Sequence, residues 1–227
     1  MRRLTYFWSN LLVLMLLACA GCSSEESELP QAAMDQASGS GGALAASTPV
    51  DAEVEFDNEY PVLAIATSRG TIKVKLDAVR SPLSADSFLW SAANGRFNGT
   101  IFHQVEDGYI VAGGEYDKNL ERLPSSMTIR NEADNGMSNK RGTVALTRDP
   151  SMIDSSSGSF FFNLTDNAHL DHKSAESADE FGYCVFGEVI EGMEVLDKIG
   201  AVQVSAQGDL AQVPLEPIEI QSIKRLR

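Results

Sequence analysis

The residues with the clearest potential for chemistry lie in two aromatic-rich stretches, residues 102–114 and residues 158–163. The first contains His103 and Gln104 among alternating apolar side chains, with an Asp-Gly pair in its middle and a glycine pair at its end. This pattern predicts two strands joined by a tight turn. If the two stretches face each other, they form an apolar pocket with an imidazole and the amides of Gln104 and Asn163 at its edge. Such a pocket is suited to binding an apolar group.

Short apolar or alternating segments elsewhere in the chain predict the strands that would position this pocket. These segments are residues 62–67, 71–76, 142–147, 159–164, 183–189 and 217–223. Helical periodicity is confined to residues 81–94, with Ser84 as the predicted N-cap, and to residues 192–199. Many short strands with two helices favour a mainly β domain, closed as an antiparallel barrel so that no strand edge is exposed.

Composition limits the classes of partner. The chain has 227 residues and is 43% hydrophobic, enough for one well-buried domain with appendages. Its formal net charge of −14 leaves no basic stripe to neutralise phosphates, which argues against a nucleic-acid partner. It has three cysteines, two of them close to the N-terminus, so a disulfide framework is not expected.

The first 22 residues resemble a bacterial signal peptide with a lipoprotein box. Two arginines precede an apolar run at residues 11–17, which is too short to span a membrane but suits a secretory leader. Small residues then lead to Cys22, the predicted site of acylation, with Cys19 as the alternative. An ordinary cleaved leader is the other interpretation.

Residues 23–60 are rich in Ser, Glu, Ala and Gly and show no apolar periodicity, which predicts a flexible tether. The folded domain is expected at residues 61–227. Leader and tether together predict an exported domain held at the bacterial cell envelope by an N-terminal lipid anchor.

Five blocks of the domain resemble the cyclophilin family, most closely its bacterial branch. In the family's order they are Phe102 to Gly114, Asn131 to Ala145, Phe160 to Asn163, Asp166 to His172 and Phe181 to Gly187. The resemblance implies a closed eight-stranded antiparallel barrel capped by two helices. It also implies peptidyl-prolyl cis/trans isomerase activity on proline-containing peptides, with no cofactor. No metal is expected, because His103 lies in a different strand from His169 and His172, whose spacing carries no third ligand of known pattern.

The resemblance also assigns residues to the site. Its proline-pocket positions are Tyr109, Ile110, Phe161 and Leu170, and His103 matches its active-site histidine. Thr147 and Arg148 are expected to border the groove.

The polar rim departs from the family's pattern. Gln104 stands at the position of its catalytic arginine, Ala112 and Ser159 replace glutamines, and His169 replaces an aromatic residue. A neutral amide is a weaker donor than a guanidinium. We therefore expect a monomeric isomerase of reduced efficiency that acts on exported proteins. The alternative is an inactive relative that binds proline peptides as a chaperone-like module.

Overall fold

The architecture is seen in a computed structural model that describes residues 57–125 and 127–226. The predicted leader and most of the predicted tether lie outside these residues. The strands are β1 Val62–Thr67, β2 Gly70–Leu76, β3 Thr100–Glu106, β4 Ile110–Asp117, β5 Thr143–Leu146, β6 Phe160–Asn163, β7 Val185–Glu191, β8 Val204–Gln207, β9 Leu210–Pro214 and β10 Glu219–Arg225. The helices are α1 Pro82–Ala93, α2 Ala178–Phe181 and α3 Met193–Gly200, and short 3₁₀ turns lie at Ala133–Asn135 and Ala168–Leu170.

Eight strands close into a barrel in the order β1-β10-β3-β4-β6-β5-β7-β2. Every neighbouring pair is antiparallel. Helices α1 and α3 contact the barrel strands. The predicted mainly β barrel with two principal helices is therefore confirmed. The sequence did not predict α2 or the separate β8–β9 hairpin, which contacts β3.

The alternation of β6 divides its three phenylalanines between two apolar clusters. Phe160 and Phe162 belong to the main core inside the barrel. Phe161 points the other way and packs with Ile110 and Ala112 of the neighbouring strand β4 in a second, smaller cluster. Because successive side chains of a strand point to opposite faces, the same short strand contributes to the core and to the outer surface of the barrel.

The start of α1 differs from the sequence prediction. The helix begins at Pro82, so Ser84 lies within its first turn and is not the N-cap. The carboxylate of Glu132 instead accepts hydrogen bonds from the backbone N–H groups of Leu83, at 3.1 Å, and Ser84, at 2.9 Å. It also accepts one from the Ser84 hydroxyl at 2.8 Å. The carboxylate of a residue distant in sequence thus accepts hydrogen bonds from the free N–H groups at the start of the helix, where a local side chain was expected to do so.

No helix within residues 57–125 and 127–226 is long and apolar enough to cross a membrane.

Candidate functional site

An apolar cavity of about 300 Å³ opens over the second cluster, on the outer face of β4 and β6. Its lining residues are Gln104, Tyr109, Ile110, Ala112, Thr147, Arg148, Pro150, Phe161, Leu170 and Tyr183. Phe161 forms the floor, and the ring of Tyr183 meets it edge-on with 5.8 Å between ring centroids. The size and the apolar floor suit one small ring or branched side chain.

Two aromatic side chains form one rim of this cavity. The rings of Tyr109 and His169 are stacked, with 5.6 Å between centroids and an interplanar angle of 18°. The Tyr109 hydroxyl lies 3.2 Å from Nε2 of His169, within hydrogen-bond distance. Partial burial raises the pKa of Tyr109, and the charge of Glu106 raises it further. Tyr109 therefore remains a neutral phenol that can donate a hydrogen bond.

Buried amides fix the 3₁₀ turn at residues 168–170, which carries His169 and Leu170. Asn167 donates through Nδ2 to the carbonyl of Tyr109 at 3.2 Å, and through its backbone N–H to the carbonyl of Asn139 at 2.7 Å. Both asparagines are almost completely buried. The turn and the strand end that carries Tyr109 are thus joined, so the two sides of the rim keep a fixed separation.

A second, polar cavity of about 510 Å³ adjoins the first. The two share a wall formed by Gln104, Ala112, Thr147, Arg148 and Pro150. Polar and charged side chains then line the far side, among them His103, Glu115, Arg122 and Ser159. Together the cavities form a continuous groove whose apolar end would hold a ring while its polar end contacts neighbouring groups of an extended ligand.

Gln104 stands on the wall between the cavities. Its side-chain Nε2 donates to the carboxylate of Glu106 at 2.6 Å, so part of its donor capacity is engaged by a neighbour. The hydroxyl of Thr147, also on this wall, hydrogen-bonds to that of Ser159 in the polar cavity. Ala112 presents only a methyl group and is 2% exposed. The wall therefore offers a ligand few unengaged donors.

His103 lines the polar cavity but not the apolar one. It is 5% exposed, its ring lies 4.8 Å from that of Tyr116, and its Nε2 is 3.9 Å from the Glu115 carboxylate. Its Nδ1 has no well-formed hydrogen bond among the described residues. Burial lowers the pKa of His103 to about 4, and the charge of Glu115 offsets only part of that effect. Near neutral pH the imidazole is uncharged.

Arg148 lies on the shared wall, yet its guanidinium faces the protein backbone. It donates to the carbonyls of Gly182, Asp149, Pro150 and Ala178. An arginine side chain has five N–H donors, so these four bonds leave one for any other partner. This geometry limits the direct contact that Arg148 can make with a ligand.

The groove brings together the sequence-predicted site residues of the domain. Eight of them line the apolar cavity: Gln104, Tyr109, Ile110, Ala112, Thr147, Arg148, Phe161 and Leu170. His103 and Ser159 line the polar cavity, and His169 joins the rim through Tyr109. Cys19 and Cys22 lie outside the described residues.

Sequence reasoning did not predict several lining residues. Tyr183 and Pro150 contribute to the apolar cavity, and Glu115 and Arg122 to the polar one. Tyr183 lies in a block that carried the family resemblance, two residues before β7, and this aromatic residue near the start of a predicted strand was the available signal. Glu115 follows the glycine pair that ends the first stretch, but nothing in the sequence marks its contact with Arg122.

Comparisons with known proteins agree with this architecture. Residues 62–225 match the family described as cyclophilin type peptidyl-prolyl cis-trans isomerase/CLD. The chain is 42% identical over 163 residues to peptidyl-prolyl cis-trans isomerase A of Dickeya dadantii, covering 72% of this chain and 83% of the relative. It is 38% identical over 157 residues to peptidyl-prolyl cis-trans isomerase B of Escherichia coli, covering 69% of this chain and 94% of that relative.

The fold also matches a solved structure, a Cryptosporidium parvum cyclophilin type peptidyl-prolyl cis-trans isomerase, with a TM-score of 0.63 and 21% identity. The match covers 74% of this chain and 98% of that one. Given the family match over nearly the whole described domain and these bacterial relatives, the chain belongs to the cyclophilin-type peptidyl-prolyl cis-trans isomerase family.

Proposed function

We propose that this isomerase acts on proline-containing segments of exported proteins, assists their folding, and does so slowly. The observation that carries the proposal is an intact apolar cavity with the neutral amide of Gln104 at its edge. The cavity has the size and lining to hold a proline ring, while Gln104, at the position of the family's catalytic arginine, carries no charge.

Prolyl isomerisation needs no nucleophile and no cofactor. The trans form of an X–Pro bond is favoured by only about 0.5–1 kcal/mol, but amide conjugation places a barrier of roughly 18–20 kcal/mol between the isomers. Rotation breaks the conjugation and leaves a lone pair on the proline nitrogen. A catalyst therefore has to hold the ring in an apolar pocket and aim a hydrogen-bond donor at that nitrogen, so that the twisted amide is bound more tightly than the planar one.

This groove meets the first requirement better than the second. Phe161 and Tyr183 line the apolar cavity with two aromatic rings packed edge-on. Gln104 Nε2 is the donor on the wall, but it already donates to Glu106. Hydrogen bonds to or from charged groups are about twice as strong as neutral ones, and loss of a dominant preorganised donor costs on the order of 10²–10³ in rate. A slow reaction on a well-bound substrate is the expected result.

The test is a coupled isomerisation assay on a proline tetrapeptide, comparing the wild type with Gln104→Arg. A guanidinium at this position is expected to raise kcat/KM by on the order of tenfold or more. Because Glu106 would also attract the new guanidinium, the double variant Gln104→Arg with Glu106→Gln should be faster still. Gln221→Arg adds the same charge at an exposed position of β10 and should leave the rate unchanged. If neither Gln104→Arg nor the double variant with Glu106→Gln is faster than the wild type, this account of the slow rate is refuted.

A second candidate function is binding of proline peptides without measurable catalysis. It is favoured by the engagement of both groove-wall donors, Gln104 with Glu106 and Arg148 with four backbone carbonyls. In that case the assay would show no rate above the uncatalysed one, while peptide titration would still shift the NMR signals of Phe161 and Tyr109. That combined outcome would replace the isomerase proposal with the binding one.

The proposed place of action is the bacterial cell envelope. The N-terminal sequence supports acylation of Cys22, with Cys19 as the alternative, followed by a tether that keeps the domain away from the membrane surface. Mass spectrometry of the mature N-terminus tests this: a diacylglyceryl-modified cysteine supports anchoring, and an unmodified mature N-terminus refutes it. Cys22→Ser should release the protein from the membrane fraction, whereas Cys184→Ser should not.

A further inference from the structure

Arg148 is a buried cation bound almost entirely by backbone carbonyls. The residue is 9% exposed, and no ion pair within residues 57–125 and 127–226 includes it. Its Nε donates to the Gly182 carbonyl at 2.9 Å, and its Nη2 donates to that of Ala178 at 2.5 Å. Its Nη1 donates to the carbonyls of Asp149 and Pro150 at 2.9 and 3.1 Å. These dipoles stabilise the charge in place of a carboxylate.

These four carbonyls belong to two separate segments that flank the groove. Asp149 and Pro150 follow Arg148 in the connection between β5 and β6, and Pro150 lines both cavities. Ala178 and Gly182 lie at either end of the segment that includes α2 and leads into β7. Ala178 lies 30 positions after Arg148 in the sequence. The side chain of Arg148 therefore joins two loops that are far apart along the chain.

The same guanidinium also contacts the aromatic wall of the apolar cavity. Its Cζ lies 4.6 Å from the ring centroid of Tyr183, in a cation–π arrangement. Tyr183 directly follows Gly182, whose carbonyl accepts a hydrogen bond from Arg148. The backbone N–H of Tyr183 donates to the carbonyl of Leu170 at 2.9 Å. Arg148 thus fixes both the backbone before Tyr183 and one face of its ring, while Phe161 supports the ring from the floor.

We propose that Arg148 is a positioning residue that joins the two flanking loops and holds the Tyr183 ring in the wall of the apolar cavity. This inference rests on the proposed function, because it assigns that cavity to the proline ring. The planar guanidinium places five donors on three nitrogens and here reaches carbonyls on two loops, whereas a lysine carries its three donors on one nitrogen. Geometry rather than charge is therefore what the position requires.

The test is Arg148→Lys, which keeps the charge and loses the fork. We expect KM for a proline tetrapeptide, and the Kd measured by NMR titration, to rise on the order of tenfold, with kcat within about twofold of the wild type. The ring resonances of Tyr183 should shift in the absence of peptide. Arg141→Lys is the matched control, since Arg141 also donates to a backbone carbonyl, that of Leu164, and to Asp197, but lines neither cavity.

A double-mutant cycle separates positioning from loss of stability. Tyr183→Leu should raise Kd as Arg148→Lys does, and the combined variant should show little further increase, because both changes remove the same wall. Equal increases in Kd for Arg148→Lys and Arg141→Lys would overturn the proposal, as would a fall in kcat at unchanged KM or an unshifted Tyr183 ring. If the wild type catalyses nothing, the proposed function fails, but Kd and the ring resonances still decide the role of Arg148.

Discussion

We expect the protein to lose stability below neutral pH because His103 is buried without a charge. The pKa of His103 is about 4 in the folded protein, against an ordinary value of 6.5, and burial is the largest cause. Glu115 attracts the protonated form but stands 3.9 Å away, too far to offset the loss of hydration. The unfolded chain therefore binds a proton that the folded protein resists, and acid favours unfolding.

The size of the effect follows from the two pKa values. Above the unfolded value the histidine is neutral in both states, and its contribution to stability is fully retained. As the pH falls toward the folded value, the free energy of unfolding should decrease by about 1 kcal/mol at pH 6, about 2 kcal/mol at pH 5 and about 3 kcal/mol at pH 4. This is a large part of the stability of an ordinary domain.

Urea unfolding of the wild type and His103→Gln, measured from about pH 7.5 to about pH 4, isolates this contribution. Both proteins carry the same carboxylates, so the difference between their unfolding free energies reports the histidine alone. The wild type should lose about 3 kcal/mol relative to the variant over this range. Parallel curves would refute the reasoning, as would an NMR titration of His103 with a midpoint near the ordinary value.

Three further predictions concern the cavity rim, a glycine and the buried thiol. Cyclosporin-type ligands, which the family binds against an aromatic residue at the position of His169, should bind poorly, and His169→Trp should strengthen binding in a fluorescence titration. Gly182→Ala should lower the free energy of unfolding by about 3 kcal/mol, because φ is 78° and the new Cβ would lie 2.6 Å from the Leu170 carbonyl oxygen. Gly99→Ala has the same φ in open space and should cost only about 1 kcal/mol. Burial raises the pKa of Cys184 to about 11, so its thiol should resist alkylation by iodoacetamide in the folded protein at about pH 8 and react once the protein is unfolded. Mass spectrometry of the peptide that contains Cys184 measures this difference.

The barrel and the floor of the groove could be predicted from the sequence because both follow from strand alternation. Once residues 160–163 are assigned to a strand, Phe160 and Phe162 must share one face and Phe161 the other. The antiparallel pairing of β4 with β6, which sets Ala112 opposite Phe161, then brings Ile110 and Ala112 beside that ring. Local pattern determines the face on which each side chain lies, and the fold determines which strands meet.

The remaining features depend on contacts between residues far apart in the chain. Glu132 satisfies the start of α1 from 48 positions away, so a local N-cap such as Ser84 was the natural but wrong prediction. The sequence placed Arg148 at the border of the groove, but only the fold shows the two loops that its guanidinium joins. No periodicity in the sequence signals bonds from a side chain to distant carbonyls.

Binding and catalysis rest on different kinds of residue in this groove. Phe161 is 2% exposed and packs against Ile110 and Ala112, on a strand whose Phe160 and Phe162 fill the barrel core. Gln104 is only partly buried, and the side-chain hydrogen bond it makes is to its neighbour Glu106. Its identity can therefore change without cost to the barrel. Burial of the apolar floor is therefore expected to stabilise the fold as well as to bind peptide, whereas the donor at position 104 is expected to act on the rate. A substitution at Gln104 should thus change kcat with little effect on stability, and one at Phe161 should lower both peptide affinity and stability.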